Sequence, residues 1–191
     1  MDSIFGLVGD GYCVMAADAS AARSILVFKN DVDKITALDN SKLLAGSGTP
    51  ADTSNFTEYI QKNLKLYELD NDLTLSTHAA ANFIRGEMAT ALRKGPYQTN
   101  LLLGGCDAQG PSLYFIDYLA ALAKVTFGAQ GHCSNFILSV FDREWKPNMS
   151  LEEGLDVLRK CIHELHTRFM ISQPNFVVKV VDKDGIREVK L

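Results

Sequence analysis

Apolar residues open the chain in two groups. Ile4, Phe5, Leu7 and Val8 form the first, and Tyr12 to Ala17 form the second. Asp10-Gly11 stands between them, and Asp-Gly between apolar runs predicts a hairpin. Further strands are predicted over 25–28, 34–38 and 42–46. Helical spacing begins at Thr49-Pro50, where a threonine N-cap precedes proline in the first turn. Phe56, Ile60, Leu64 and Tyr67 recur along one face until Asn71-Asp72. Ser76 caps a second helix whose buried side holds Ala80, Phe83, Ile84, Ala91 and Leu92, and Gly95-Pro96 stops it.

Strand patterns return over 99–103 and 112–116, joined through Asp107 to Pro111, and over 124–128. Ser150-Leu151-Glu152-Glu153 spells a capping box, in which the serine oxygen accepts a backbone N–H three residues on and the glutamate reaches back. It starts a third helix with Leu151, Leu155, Leu158, Ile162, Leu165 and Phe169 as its core stripe. Strands over 176–181 and 186–189 flank a turn at Asp182 to Gly185. The order is strands, two helices, strands, one helix, strands. That grouping predicts an α+β fold in which two antiparallel sheets pack together with helices outside.

The 191 residues fit one domain spanning 1–191, and an apolar fraction of 47% is enough for a sizeable core. Net charge is −4, against the basic footprint that broad nucleic-acid binding needs. Asp2 and the lack of a basic cluster argue against a signal peptide, and no apolar run reaches the ~20 residues of a membrane helix. Cys13, Cys106, Cys133 and Cys161 are scattered without a C-x-x-C, which predicts reduced, intracellular thiols.

Three local patterns hint at chemistry and are weak. His163 and His166 are three apart, whereas the H-E-x-x-H zinc motif needs four; a solvated helix boundary is the expectation. His132-Cys133 suggests a dyad, but neighbours on a strand point to opposite faces. Gly46-x-Gly48 before a helix lacks the third glycine and the Gly-Lys-Ser/Thr ending of phosphate loops. No metal and no cofactor is expected.

A stronger signal joins Asp18 in the second strand to Lys34, sixteen residues on. With them stand Glu58 to Asn63, Ala79 to Phe83, Tyr97 to Gly105, Gly110 to Lys124 and Val181 to Ile186. These segments resemble, in order along nearly the whole chain, the β subunits of the 20S proteasome. The resemblance is to a non-catalytic type at the fourth position of the β ring. It implies the N-terminal nucleophile hydrolase fold, a four-layer α-β-β-α sandwich. Implied partners are other β subunits in a seven-membered ring, the opposing β ring and the α ring, with no nucleic acid and no membrane. The implied setting is cytoplasmic and nuclear, in ATP- and ubiquitin-dependent degradation. The run from Tyr114 to Lys124 is expected to contact a ring neighbour.

Active members of that family begin with a processed threonine, whose hydroxyl attacks while its α-amine serves as base. Carried over residue by residue, the resemblance places Asp18 as the lysine's orienting carboxylate and Lys34 as the cation beside the nucleophile. Gly48 takes the oxyanion-binding position, and Ser172 that of a later serine. Three positions depart: Asp2 stands where the threonine belongs, His132 near a supporting serine, and Phe169 where a second aspartate belongs. An apolar ring offers no hydrogen bond. Ser3 would need two residues removed to act. The expectation is no catalytic residue, with Asp18, Lys34, Gly48 and Ser172 as a vestigial frame. The alternative is an active threonine-type endopeptidase subunit.

Overall fold

The computed structural model describes residues 2–23 and 26–191. The opening hairpin forms as predicted: β1 (Ser3–Gly9) pairs antiparallel with β2 (Tyr12–Asp18) around Gly11, whose φ of 75° suits glycine. Next come β3 (Ala21–Arg23), β4 (Leu26–Lys29), β5 (Ile35–Asp39) and β6 (Lys42–Gly48). β3 and β4 form a separate two-stranded ribbon, with the predicted strand's Ile25 outside the described residues. The helices α1 (Pro50–Asn71) and α2 (Thr77–Ala91) lead into β7 (Thr99–Asp107), β8 (Gly110–Ile116), β9 (Leu122–Val125) and β10 (Phe127–Gly131). The chain ends with α3 (Ser134–Glu144), α4 (Leu151–Arg168), β11 (Phe176–Asp182) and β12 (Gly185–Glu188).

Two five-stranded antiparallel sheets result, ordered β10-β1-β2-β11-β12 and β5-β6-β7-β8-β9. Alternation along β2 explains why every residue in it is buried. Tyr12, Val14 and Ala16 enter the core beneath α3 and α4, while Cys13, Met15 and Ala17 enter the core between the sheets. A third core lies under α1 and α2, where Phe56, Ile60, Ala80 and Ile84 meet Leu101, Leu103 and Ile116. The layers are therefore α-β-β-α. Close sheet packing needs a small residue at Gly104, because a Cβ there would lie 2.7 Å from the Cys13 sulfur.

The structure corrects several sequence expectations. The single strand over 124–128 is two strands, β9 and β10, in different sheets. The predicted strand order lacked α3 altogether. Thr49 precedes α1 but its hydroxyl makes no cap bond, and Tyr67 on the predicted apolar face is 40% exposed. The other caps hold: Ser76 Oγ accepts from Ala79 N–H, and both arms of the Ser150–Glu153 box are present. Lys42, unremarked in the sequence, is buried with its ammonium 2.7 Å from the Asp39 carboxylate. No described helix is long and apolar enough to cross a membrane.

Candidate functional site

At the start of β1 the chain runs between β2 and β10, and four segments converge there. Asp18, the last residue of β2, is completely buried. Its carboxylate is held from three sides: Ser3 N–H donates to Oδ1 at 2.7 Å, Ser20 N–H to Oδ2 at 3.2 Å, and Lys34 Nζ to Oδ2 at 2.9 Å. Three bonds to a carboxylate, one of them from a cation, compensate the removal of its charge from water.

Lys34 spends its three N–H bonds on three acceptors. These are Asp18, the Ser20 carbonyl at 2.8 Å and Asp2 Oδ1 at 2.8 Å. Asp2 in turn accepts the Gly48 N–H on its other oxygen at 3.1 Å. The Asp2 carboxylate thus bridges the lysine and the end of β6. Two cavities open beside it, of about 680 and 850 Å³, and both have Asp2 and Gly48 in their walls.

Two glycines permit this convergence. A Cβ on Gly48 would lie 2.2 Å from the Gln98 carbonyl oxygen and 2.8 Å from Thr99 Cα, both backbone atoms. Gly131, opposite Ser3 in the β1–β10 ladder, has φ of 91°, and its Cβ would lie 2.0 Å from the Asp2 carbonyl oxygen. Neither neighbour can swing aside as a side chain would. Gly131→Ala is therefore expected to lower the chain's stability by about 1–3 kcal/mol from backbone strain alone, before the contact is counted. It should also expose β1. Hydrogen exchange of Ser3 and Ile4 amides checks this; unchanged protection would contradict it.

Asp2, Asp18, Lys34 and Gly48 are thus brought together. Ser172 is not: it is exposed, and among the described residues no hydrogen bond joins it to this group. The following residue does instead, since buried Gln173 accepts the Ser3 hydroxyl on Oε1 at 2.8 Å. Ser3 itself has no exposure, with its N–H on Asp18 and its hydroxyl on Gln173. Sequence reasoning missed Gln173, Gly131 and Ser20. Of these, Ser20 had a signal, because aspartate two residues before a serine commonly accepts its N–H.

His132 is exposed on the wall of the smaller cavity, while Cys133 is buried with its thiol 3.7 Å from the Gln130 carbonyl. Burial pushes that thiol up to about 11, and those of Cys13 and Cys161 to about 12. None is a ready nucleophile. Phe169 packs its ring 5.9 Å from that of Phe136. His163 is exposed and His166 faces the Gln173 carbonyl at 3.0 Å. Among the described residues no cluster of three or more His, Cys, Asp or Glu is placed to hold a metal. The Gly46–Gly48 backbone is the end of strand β6 paired with β7, and not the glycine-rich turn of a phosphate loop.

The layered sandwich and the groups at the head of β1 define a class, and comparison with known proteins agrees. The proteasome subunit family model matches residues 2–181, and the chain belongs to that family. It is 55% identical over 189 residues to proteasome subunit beta type-2-B of Arabidopsis thaliana, covering 98% of this chain and 95% of that protein. It is 44% identical to proteasome subunit beta type-2 of Dictyostelium discoideum over 191 residues, 98% and 96% of the two chains. With proteasome subunit beta type-4 of Saccharomyces cerevisiae it shares 39% over 192 residues, covering 99% and 97%.

Proposed function

We propose that this chain is a non-catalytic β subunit of the 20S proteasome core particle, a single domain over 1–191. It closes the inner ring and walls the chamber in which other subunits cleave proteins. Its partners are neighbouring β subunits, the opposing β ring and the α ring, and its setting is cytoplasmic and nuclear, in ubiquitin-dependent degradation. The run from Tyr114 to Lys124 suits a contact with a neighbour: Tyr118 and Leu119 are about half exposed at the turn after β8.

The observation that carries the non-catalytic reading is the Asp2 carboxylate, bound to Lys34 and Gly48 where an active relative needs a hydroxyl and a free amine. A carboxylate already paired with a cation cannot replace that hydroxyl–amine couple. Buried Ser3, locked between Asp18 and Gln173, does not supply it either. Asp18, Lys34 and Gly48 are on this reading a frame kept for stability, and Gln173 joins it in place of Ser172.

The competing reading is an active threonine-type endopeptidase. The test is to treat assembled particles with an epoxyketone directed at N-terminal threonines and to map adducts on every chain by mass spectrometry. Adducts are expected on other β subunits and none on this one. An adduct at Asp2 or Ser3 would overturn the non-catalytic reading.

A further inference from the structure

The Asp2 carboxylate makes two charged or dipolar contacts that pull in the same sense. Lys34 Nζ donates to one oxygen at 2.8 Å and Gly48 N–H to the other at 3.1 Å. The two donors come from different segments, the entry to β5 and the end of β6. Both are fixed independently of Asp2. Lys34 is anchored by Asp18 and by the Ser20 carbonyl, and Gly48 by its place opposite Thr99 in the β6–β7 ladder. Such a pair of donors is a small anion site that exists before its occupant arrives.

We propose that Asp2 is a tethered occupant of this carboxylate-binding site, an intramolecular plug that closes it to carboxylates and carbonyl oxygens from outside the chain. The inference rests on the non-catalytic reading and adds to it: beyond lacking a nucleophile, the site has its anion-stabilising donors already filled. Position supports this. Asp2 and Gly48 line both neighbouring cavities, so the contact between them borders both spaces. The Asp2 side chain keeps 19% exposure and that of Lys34 12%, so the site borders solvent and a free anion could reach it. The backbone beside the carboxylate is also fixed, because the Asp2 carbonyl lies against Gly131. The side chain is thus held at close range, and a tethered group outcompetes a dissolved one by its effective concentration.

The test uses particles assembled with Asp2→Ala and probes them with sodium acetate, with sodium chloride at equal ionic strength as control. Residue-resolved hydrogen exchange reads the Gly48 amide. In Asp2→Ala it should exchange about tenfold faster or more, the effect of losing a hydrogen bond to a charged acceptor. Acetate should restore the protection, chloride should not, and a structure of the acetate-soaked particle should show a carboxylate spanning Gly48 N and Lys34 Nζ. The unsubstituted particle should respond to neither salt.

Asp2→Asn provides the second arm if Asp2→Ala fails to assemble. Its amide fills the space but offers one oxygen to two donors, so Gly48 exchange should rise with no response to acetate. Unchanged Gly48 exchange in either variant, acetate acting no differently from chloride on Asp2→Ala, acetate restoring protection to Asp2→Asn, or acetate binding to the unsubstituted particle would each overturn the proposal. New peptide cleavage by the Asp2→Ala chain would instead overturn the non-catalytic reading, so the two failures are distinguishable.

Discussion

Replacing Lys34 with methionine should destabilise the chain by about 3–5 kcal/mol, the cost of leaving a buried charge without its partner. Methionine keeps an unbranched apolar stem in the same space and removes only the ammonium. The loss falls on three acceptors at once. Asp18 keeps its two backbone donors but has no exposure and, among the described residues, no remaining cation. Among the described residues Asp2 keeps the Gly48 N–H alone, and the Ser20 carbonyl loses its Lys34 donor. Two carboxylates bound to one lysine also repel each other once it is gone.

The measurement is incorporation of the full-length variant into assembled particles, with thermal unfolding of those that form. A double-mutant cycle with Asp18→Leu separates pairing from packing. The double variant should cost less than the sum of the two singles, because the second change removes the charge that the first left stranded. A cost for Lys34→Met within about 1 kcal/mol, the range of exposed ion pairs, would mean that water reaches the pair.

The extent to which the fold could be read in the sequence followed the physics of each segment. The first hairpin was legible because Asp10-Gly11 is both a polar interruption and a turn that needs positive φ. The helix α4 was legible because a capping box marks its start and a full stripe follows. The helix α3 has neither. Its N-cap position is Cys133, which makes no side-chain cap bond, and Phe136, Ile137, Leu138, Val140 and Phe141 form a nearly continuous apolar run. Such a run does not distinguish strand from helix by period. β9 and β10 fused in the reading for a related reason. Only Ser/Thr-type chemistry at Thr126 separates them, and alternation continues while the chain leaves one sheet for the other.

The site divided in the same way. Asp18, Lys34 and Gly48 could be named from their resemblance to a family, since each falls within a recognisable segment. That Asp2 joins two of them could not, because the contact depends on where β1, β5 and β6 meet in space. The shift from Ser172 to Gln173 arises in the segment between α4 and β11, where no period sets the register. A single residue of offset there exchanges an exposed serine for a buried glutamine. Buried Lys42 escaped notice because lysine in a strand is read as surface, and the Asp39 carboxylate and Ser41 hydroxyl that accept from its ammonium make its burial tolerable.

Phe141→Ala should cost about 3–5 kcal/mol, and its effect should reach the head of β1. Phe141 has no exposure, and its ring centroid lies 6.3 Å from that of Phe5 and 5.4 Å from that of Phe127. It therefore joins α3 to β1 and to β10, the two strands whose pairing places Asp2 beside Gly131. Removing the ring leaves a cavity among rigid aromatic neighbours, which cannot collapse without moving the strands. Amide exchange over β1 and β10 should rise more than over β6 and β7, which lie in the other sheet. Phe141→Leu, which keeps most of the volume, should recover more than half the loss. Phe28→Ala is the control, since Phe28 is 68% exposed on the ribbon and its loss should leave the fold within about 0.5 kcal/mol. Equal rises in exchange over both sheets would show that the fold responds as one unit and that α3 has no special hold on the site.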